Sequence, residues 1–314
     1  MKIIILGAGI SGALAAKFFN TEEIYDKANA PVNNHHAVMR IKDPRVGMLL
    51  GSNMESVSVK KGVYFKGVMW DKTNITINNM YSLKVSGQLS YKSILDLSDC
   101  SRFLLSDWDI KNINYGYDFV SINKNSLVFA YNNEYIQKEF DFCISTIPIQ
   151  HMIKISGIFD ELPEFKYNPI FVTRFNLNID STVHQTIYFP DNCFNSYRVT
   201  IEGKQIIFEA INSFPDETEI EKIICLFGIS TLNIENKQEF VQKIGKIVPY
   251  DDKYRKFILN ELTEKFNLFS LGRFAIWKQI RSDDVIKDLE VIQKMIFTEE
   301  KRRGYENKLA ELHR

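Results

Sequence analysis

The chain has 314 residues, 45% of them hydrophobic, and carries 39 Lys plus Arg against 39 Asp plus Glu. That length allows a sizeable core and about two lobes at ~100–200 residues per domain. Zero net charge excludes a general attraction for polyanions, although a local basic channel stays open, and four dispersed cysteines exclude a disulfide framework or a CxxC site, which makes a reducing cytosol the expected compartment.

In chain order, Lys2–Leu6 reads as a short apolar strand and Gly7-Ala8-Gly9-Ile10-Ser11-Gly12 as a GxGxxG turn. Ala13–Phe19 then reads as a helix and Glu23–Asp26 as a second strand. One lysine before an apolar run also describes a signal peptide, but the glycines fall where a phosphate-binding turn needs them. The first permits the sharp turn, the second lets backbone approach a pyrophosphate, and the third packs helix on strand. The helix N-terminus then offers N–H groups and a positive dipole end. Asp26 suits the ribose hydroxyls of an adenosine and favours a free 2′-hydroxyl. No other stretch approaches the ~18–20 apolar residues of a membrane span, so a soluble protein without a membrane partner is expected.

From Tyr64 to about Asp107 the chain is polar and aromatic without a clean period, which suggests an inserted, partly helical segment over the cofactor domain. Tyr117–Ile122, Leu127–Tyr131 and Tyr135–Phe140 read as a three-stranded meander. Phe142–Ile144 enters Ser145-Thr146-Ile147-Pro148, where the proline forces the chain out of the sheet. Ile170–Asn176, His184–Phe189, Ser196–Ile201 and Gln205–Ala210 predict an antiparallel sheet in a second lobe. Glu217–Phe227, Lys237–Ile244 and Lys253–Lys265 read as helices, and Asp284–Arg314 as a last helix with apolar Val285, Ile286, Leu289, Ile292 and Ile296 at helical spacing.

Near the C-terminus stands Gly272-Arg273-Phe274-Ala275-Ile276-Trp277, followed by Asp283-Asp284-Val285-Ile286 at a helix head. Together with the GxGxxG turn and Ser145–Ile149, this resembles the FAD enzymes of the amine oxidase and UDP-galactopyranose mutase superfamily, over residues 1–40, 115–150 and 270–296. The resemblance implies an α/β fold: an FAD-binding Rossmann-like (GR2-type) domain with a second antiparallel-sheet substrate lobe. The FAD domain would be discontinuous, over 1–65, 110–150 and 268–314, and the lobe would comprise 66–109 and 151–267. The cofactor implied is FAD. Its expected contacts are Gly7, Gly9, Ile10, Ser11, Gly12, Asp26, Lys27, Arg40, Val120, Thr146, Gly272, Arg273, Asp283, Asp284 and Val285. Asp283 suits the N-cap of the last helix, and Asp284 complements its dipole.

Between the halves stands Asn33-Asn34-His35-His36-Ala37-Val38-Met39-Arg40. The family carries a Gly-Gly-Arg or Gly-x-His segment there, so His36 and Arg40 stand where mutases have a histidine and oxidases an arginine. Adjacent His35 and His36 without a third ligand at fixed spacing do not make a metal site, and no metal is expected. His36 to Pro44, with Val59–Tyr64, resembles bacteriophage flavoproteins of thymine hypermodification, some of which are oxidases of a glycine attached to a modified thymidine in DNA.

Flavin performs the hard chemistry, so no dedicated base is obligatory. Arg40 or Arg273 would hold an anionic substrate or stabilise reduced flavin, because guanidinium keeps its charge and forks onto carboxylate or phosphate. Trp277, Tyr64 and Trp108 are candidate walls for a flat ring, set against the commoner use of aromatics as core. His151 and His184 read as structural, and Lys60-Lys61 as a solvated pair that also gives a DNA reading a place to begin. The catalytic candidates are therefore His36, Arg40 and Trp277. Three functions stay open: an oxidoreductase of amine oxidase type acting on a small-molecule or nucleotide amine, with modified phage DNA as one partner in a host cytoplasm; a sugar-nucleotide mutase; and a protein that holds FAD without turnover. A mutase needs arginines and tyrosines around a sugar diphosphate, and the lack of an alignable set favours the oxidase.

Overall fold

A computed structural model describes residues 1–30, 40–52, 54–86, 95, 97, 99–105, 112–159, 163–179 and 182–312. The chain opens with β1 (Ile3–Leu6), α1 (Ile10–Phe19) and β2 (Ile24–Asp26), then β3 (Arg40–Ile41), α2 (Arg45–Leu50), β4 (Met54–Phe65), β5 (Val68–Trp70), α3 (Ile75–Ser86) and β6 (Cys100–Leu105). The middle runs β7 (Asn114–Tyr115), β8 (Asp118–Asn123), β9 (Ser126–Tyr131), β10 (Glu134–Glu139), β11 (Phe142–Ser145) and α4 (Ile149–Ser156). The remainder is β12 (Tyr167–Leu177), β13 (His184–Tyr188), β14 (Ser196–Glu202), β15 (Gln205–Ala210), α5 (Glu217–Leu226), β16 (Ile234–Ile247), α6 (Asp252–Phe266), β17 (Leu268–Ser270) and α7 (Ser282–Leu312).

These elements build a five-stranded parallel sheet in the order β17-β11-β1-β2-β7. All four β1 residues are buried, as a strand covered on both faces requires. On one side α1, α2 and α7 close a core through Ala13, Leu14, Val285, Ile286 and Leu289. On the other, α4, α6 and the β8-β9-β10 meander pack around Ile4, Leu6, Phe129, Ile258 and Trp277. Each fully buried Leu, Ile or Phe contributes roughly 1.5–3 kcal/mol, so this double covering holds β1 and the turn that follows it rigidly. The meander strands fall within a residue of expectation, and their Asn132-Asn133 turn has two left-handed residues, the geometry of a tight hairpin.

The second lobe is a nine-stranded sheet, β16-β12-β15-β14-β13-β4-β6-β3 with β5 paired to β4. α3 covers one face through Ile77 and Tyr81 and α5 the other through Ile220, Ile223 and Ile224. Three expectations change here. Lys237–Ile244, expected as a helix, lies in β16, paired antiparallel along β12. The 64–107 segment is partly helical as expected, but its helix α3 packs on β12, β14 and β16 rather than over the parallel sheet. The chain also enters the large sheet at Arg40, ahead of the boundary at 65, because β3 and β4 pair with β6 and β13. No described helix is long and apolar enough to cross a membrane.

Candidate functional site

β1 delivers the chain into Gly7, whose φ is +91°. A Cβ there would stand 2.4 Å from Thr146 Oγ1, and one on Gly12 would stand 1.9 Å from the Gly7 carbonyl oxygen. Gly9 differs: a Cβ there would meet nothing within 4 Å. Two glycines of the motif thus answer to packing, while the middle one leaves a face open. α1 starts directly after Gly9, which caps it without a side chain. Its first N–H groups therefore have no intrahelical acceptor, the arrangement that receives an anion. Asp26 sits beside this loop, with Oδ2 accepting from the Ala8 N–H at 2.7 Å and Oδ1 from the Ala28 N–H at 2.8 Å. Each oxygen keeps a second lone pair for a hydroxyl donor. Lys27 is exposed next to it. Thr146 closes the turn by donating Oγ1–H to the Leu6 carbonyl at 2.8 Å.

The C-terminal turn reaches the same place. β17 leads to Leu271, whose N–H donates to the Ser145 carbonyl at 2.9 Å. At Gly272, where φ is +89°, a Cβ would stand 2.5 Å from Ser11 Oγ. The turn therefore lies directly on the first turn of α1, and only glycine fits. Val285 and Ile286 at the head of α7 share one buried cluster with Ile10 and Ala13. The two distant sequence segments form one wall.

Several site residues stand differently from expectation. Asp283 does not cap α7: its Oδ1 accepts from the Lys42 and Asp43 N–H groups at 2.8 Å each, tying the head of the helix to the strand after Arg40. Asp284 does the capping, accepting from the Arg281 N–H at 2.9 Å. The Val285 and Ile10 side chains are core, which leaves their backbone for a ligand. Arg40 is committed to the large sheet, donating to Glu202, to Thr186 Oγ1 at 2.9 Å and to the Ile201 carbonyl at 2.8 Å. Trp277 is 2% exposed, packs on Phe165 and donates Nε1–H to the Val248 carbonyl at 3.1 Å, so it is core and not the wall of a cleft. Val120 is exposed and is the extra residue of a bulge between Phe119 and Ser121. His36, with His35 and Trp108, lies outside the described residues.

A second constellation escaped sequence reading. Strand periodicity puts the adjacent Tyr197 and Arg198 on opposite faces, but the register shifts between Ser196 and Arg198 and brings both to Glu209. Tyr197 donates its hydroxyl to Glu209 Oε1 at 2.9 Å, and Arg198 forks onto both Glu209 oxygens. The Arg198 side chain is 30% exposed against 5% for Glu209, so a partly exposed arginine lies over a buried carboxylate. Lys246 Nζ lies 4.7 Å from the Tyr197 ring centroid, and Tyr81 packs edge-on to Tyr188 and Tyr197 at 5.5 and 6.2 Å. Arg273, next to the Gly272 contact, is held by the Ile280 carbonyl at 2.9 Å and interacts electrostatically with Tyr197, Arg198 and Glu209. Burial and the neighbouring Arg198 push the Lys246 ammonium down to about 7, against the pull of Glu209. Three cations thus share one carboxylate, an arrangement that accepts an anion.

No family model matches the chain, and no curated protein matches it. Solved structures do. Reduced UDP-galactopyranose mutase is 16% identical and covers 95% of this chain and 94% of its own, with a TM-score of 0.71. The fold is shared. A fatty acid isomerase from P. acnes that produces CLA aligns at 11% identity and TM-score 0.60, over 93% of this chain and 98% of its own. An oxidoreductase from Methanosarcina mazei aligns at 9% and 0.55, over 94% and 100%. The α/β architecture expected from the sequence, a Rossmann-like domain with a second sheet lobe, is the architecture found, and the lobe's sheet is antiparallel except where β13 runs parallel to β4.

Proposed function

We propose that this chain is an FAD-dependent oxidoreductase whose substrate carries an anionic group held by Arg198, Lys246 and Arg273. The observation that carries the reading is the packing of Gly272 on Ser11, which joins the loop at Gly9 and the head of α7 into one wall. The residues fit the cofactor. Gly7, Gly9, Gly12 and the free N–H groups of Ile10 and Ser11 suit its pyrophosphate, and Asp26, with Lys27 beside it, suits the adenosine ribose. The bulge at Val120 is a candidate for the adenine edge. Thr146 fixes the loop from behind, while Gly272, Arg273 and the backbone around Asp284 and Val285 suit the flavin half.

FAD, when bound, supplies the acceptor for a hydride. The rest falls to the chain: Arg198 and Lys246 orient the substrate's charged end, Glu209 keeps Arg198 and Tyr197 in place, and Tyr81 and Tyr188 shield the face from water. Arg40 and Trp277 leave the catalytic set, because both are engaged in the fold. The expected reaction is oxidation of the C–N bond of an amine. Its narrowest form, a glycine adduct on a modified thymidine in phage DNA, rests on the likeness of residues 35–65 alone.

A second reading has a specific observation behind it. A sugar-nucleotide mutase needs arginines and tyrosines around a diphosphate, and Tyr81, Tyr188, Tyr197, Arg198 and Arg273 have that composition. Incubating FAD-loaded protein in air with glycine-modified thymidine DNA and with free amino acids, and the dithionite-reduced protein with UDP-galactose, separates the readings. Peroxide or aldehyde from either of the first two supports the oxidoreductase. Furanose formation from the last replaces it with the mutase, and no turnover of any leaves FAD binding alone.

A further inference from the structure

In β5 every residue is an exposed apolar one: Val68, Met69 and Trp70 are 53%, 44% and 42% exposed, on both faces of the strand. Three consecutive exposed apolar residues in a folded chain call for a function. The same finger continues into α3, where Ile75 and Leu83 are 69% and 48% exposed. Its tip is a tight turn with Lys66 and Gly67 both left-handed, tied to the sheet by the Lys66 N–H, which donates to Asp191 Oδ2 at 3.2 Å. Lys66 and Lys72 flank β5 beside Asp71, and Lys60 and Lys61 follow further back along β4, in a protein whose formal net charge is zero.

We infer that the β4–β5 hairpin and the exposed side of α3 form a docking surface for an anionic lipid bilayer. An apolar ridge bearing a tryptophan inserts at the boundary between headgroups and acyl chains, and surrounding lysines extend to lipid phosphates. A nucleic acid fits less well, since only Trp70 offers a flat face for base stacking and the other exposed groups are aliphatic. Surface contact requires no spanning helix, so the expectation of no membrane partner, drawn from span length, does not bear on it. α3 also carries Tyr81 into the cationic face, so docking would bring that face near the membrane.

The test is co-sedimentation of the full-length protein with vesicles of phosphatidylcholine alone and of phosphatidylcholine with phosphatidylserine in equal parts, at low and high salt. Binding to the mixed vesicles at low salt is expected, with loss at high salt. Val68→Ser with Trp70→Ala, and separately Lys66→Glu with Lys72→Glu, should each weaken partitioning by about tenfold or more while Tm stays near that of the parent. No binding to the mixed vesicles, or binding that neither variant changes, overturns the inference. Capture of oligodeoxythymidylate, lost in the same variants and without vesicle binding, overturns it in favour of nucleic acid.

Discussion

Gly9 and Gly12 belong to one motif but answer to different demands, and substitution separates them. Gly9 has φ −67° and open space around its missing Cβ, so Gly9→Val should leave the cofactor-free protein as stable as the parent while removing FAD binding. Gly12→Ala places a methyl 1.9 Å from the Gly7 carbonyl oxygen and should cost about 1–3 kcal/mol of folding stability. Thermal melts with and without FAD measure both. The motif was legible because its spacing is local; that Ser11 is the atom set against Gly272 was not, since nothing near either residue encodes the other. Lys246 gives a pH signature. Only its charged form attracts an anion, and in the free protein that form declines as pH rises through about 7. Titrating FAD-loaded protein with sulfate, which does not change charge in this range, should show Kd flat below that pH. Above it Kd should rise by at most about tenfold per unit. Lys246→Met should bind more weakly with no such rise. The folding linkage runs the other way: the unfolded chain holds the Lys246 proton up to the ordinary lysine range near 10.5, so this group's contribution to stability rises with pH above about 7.

At the scale of elements, β16 shows what local composition hides. Its Lys, Gln and Glu residues favour a helix, yet Phe240, Gln242, Ile244 and Lys246 alternate half-buried with exposed Val241 and Lys243, and β12 supplies the hydrogen bonds. The charges that read as helix-forming guard a sheet edge instead. The bulge at Tyr197 hid the cationic face for a related reason, because it breaks the alternation on which facing is read. Arg40 was legible as an important arginine but not for its partner, Glu202, which also bonds His184 Nδ1 at 2.5 Å. Since β3 is only two residues long, this ion pair does much of the work of fixing the entry into the large sheet. Arg40→Ala should therefore lower stability by about 1–3 kcal/mol in urea unfolding, leaving half-buried Glu202 with His184 alone. The loss should shrink when Glu202→Gln is added, and FAD affinity should change little.

Across the whole molecule, the parallel sheet positions a loop and the large sheet presents a charged face, with Arg273 spanning the two. The sequence carried the first half openly, since a Gly-rich turn after a buried strand has few other uses. It concealed the second, which depends on side chains from α3, β13, β14, β15 and β16 meeting across a sheet. The most direct test of the account is the visible spectrum of the purified protein, recorded alongside its Tm before and after adding FAD. A flavin absorption band should be present or appear on reconstitution. A hundredfold excess over Kd should stabilise the fold by about 2.7 kcal/mol, with Gly9→Val lacking both effects. A colourless protein whose Tm does not respond to excess FAD would contradict the account.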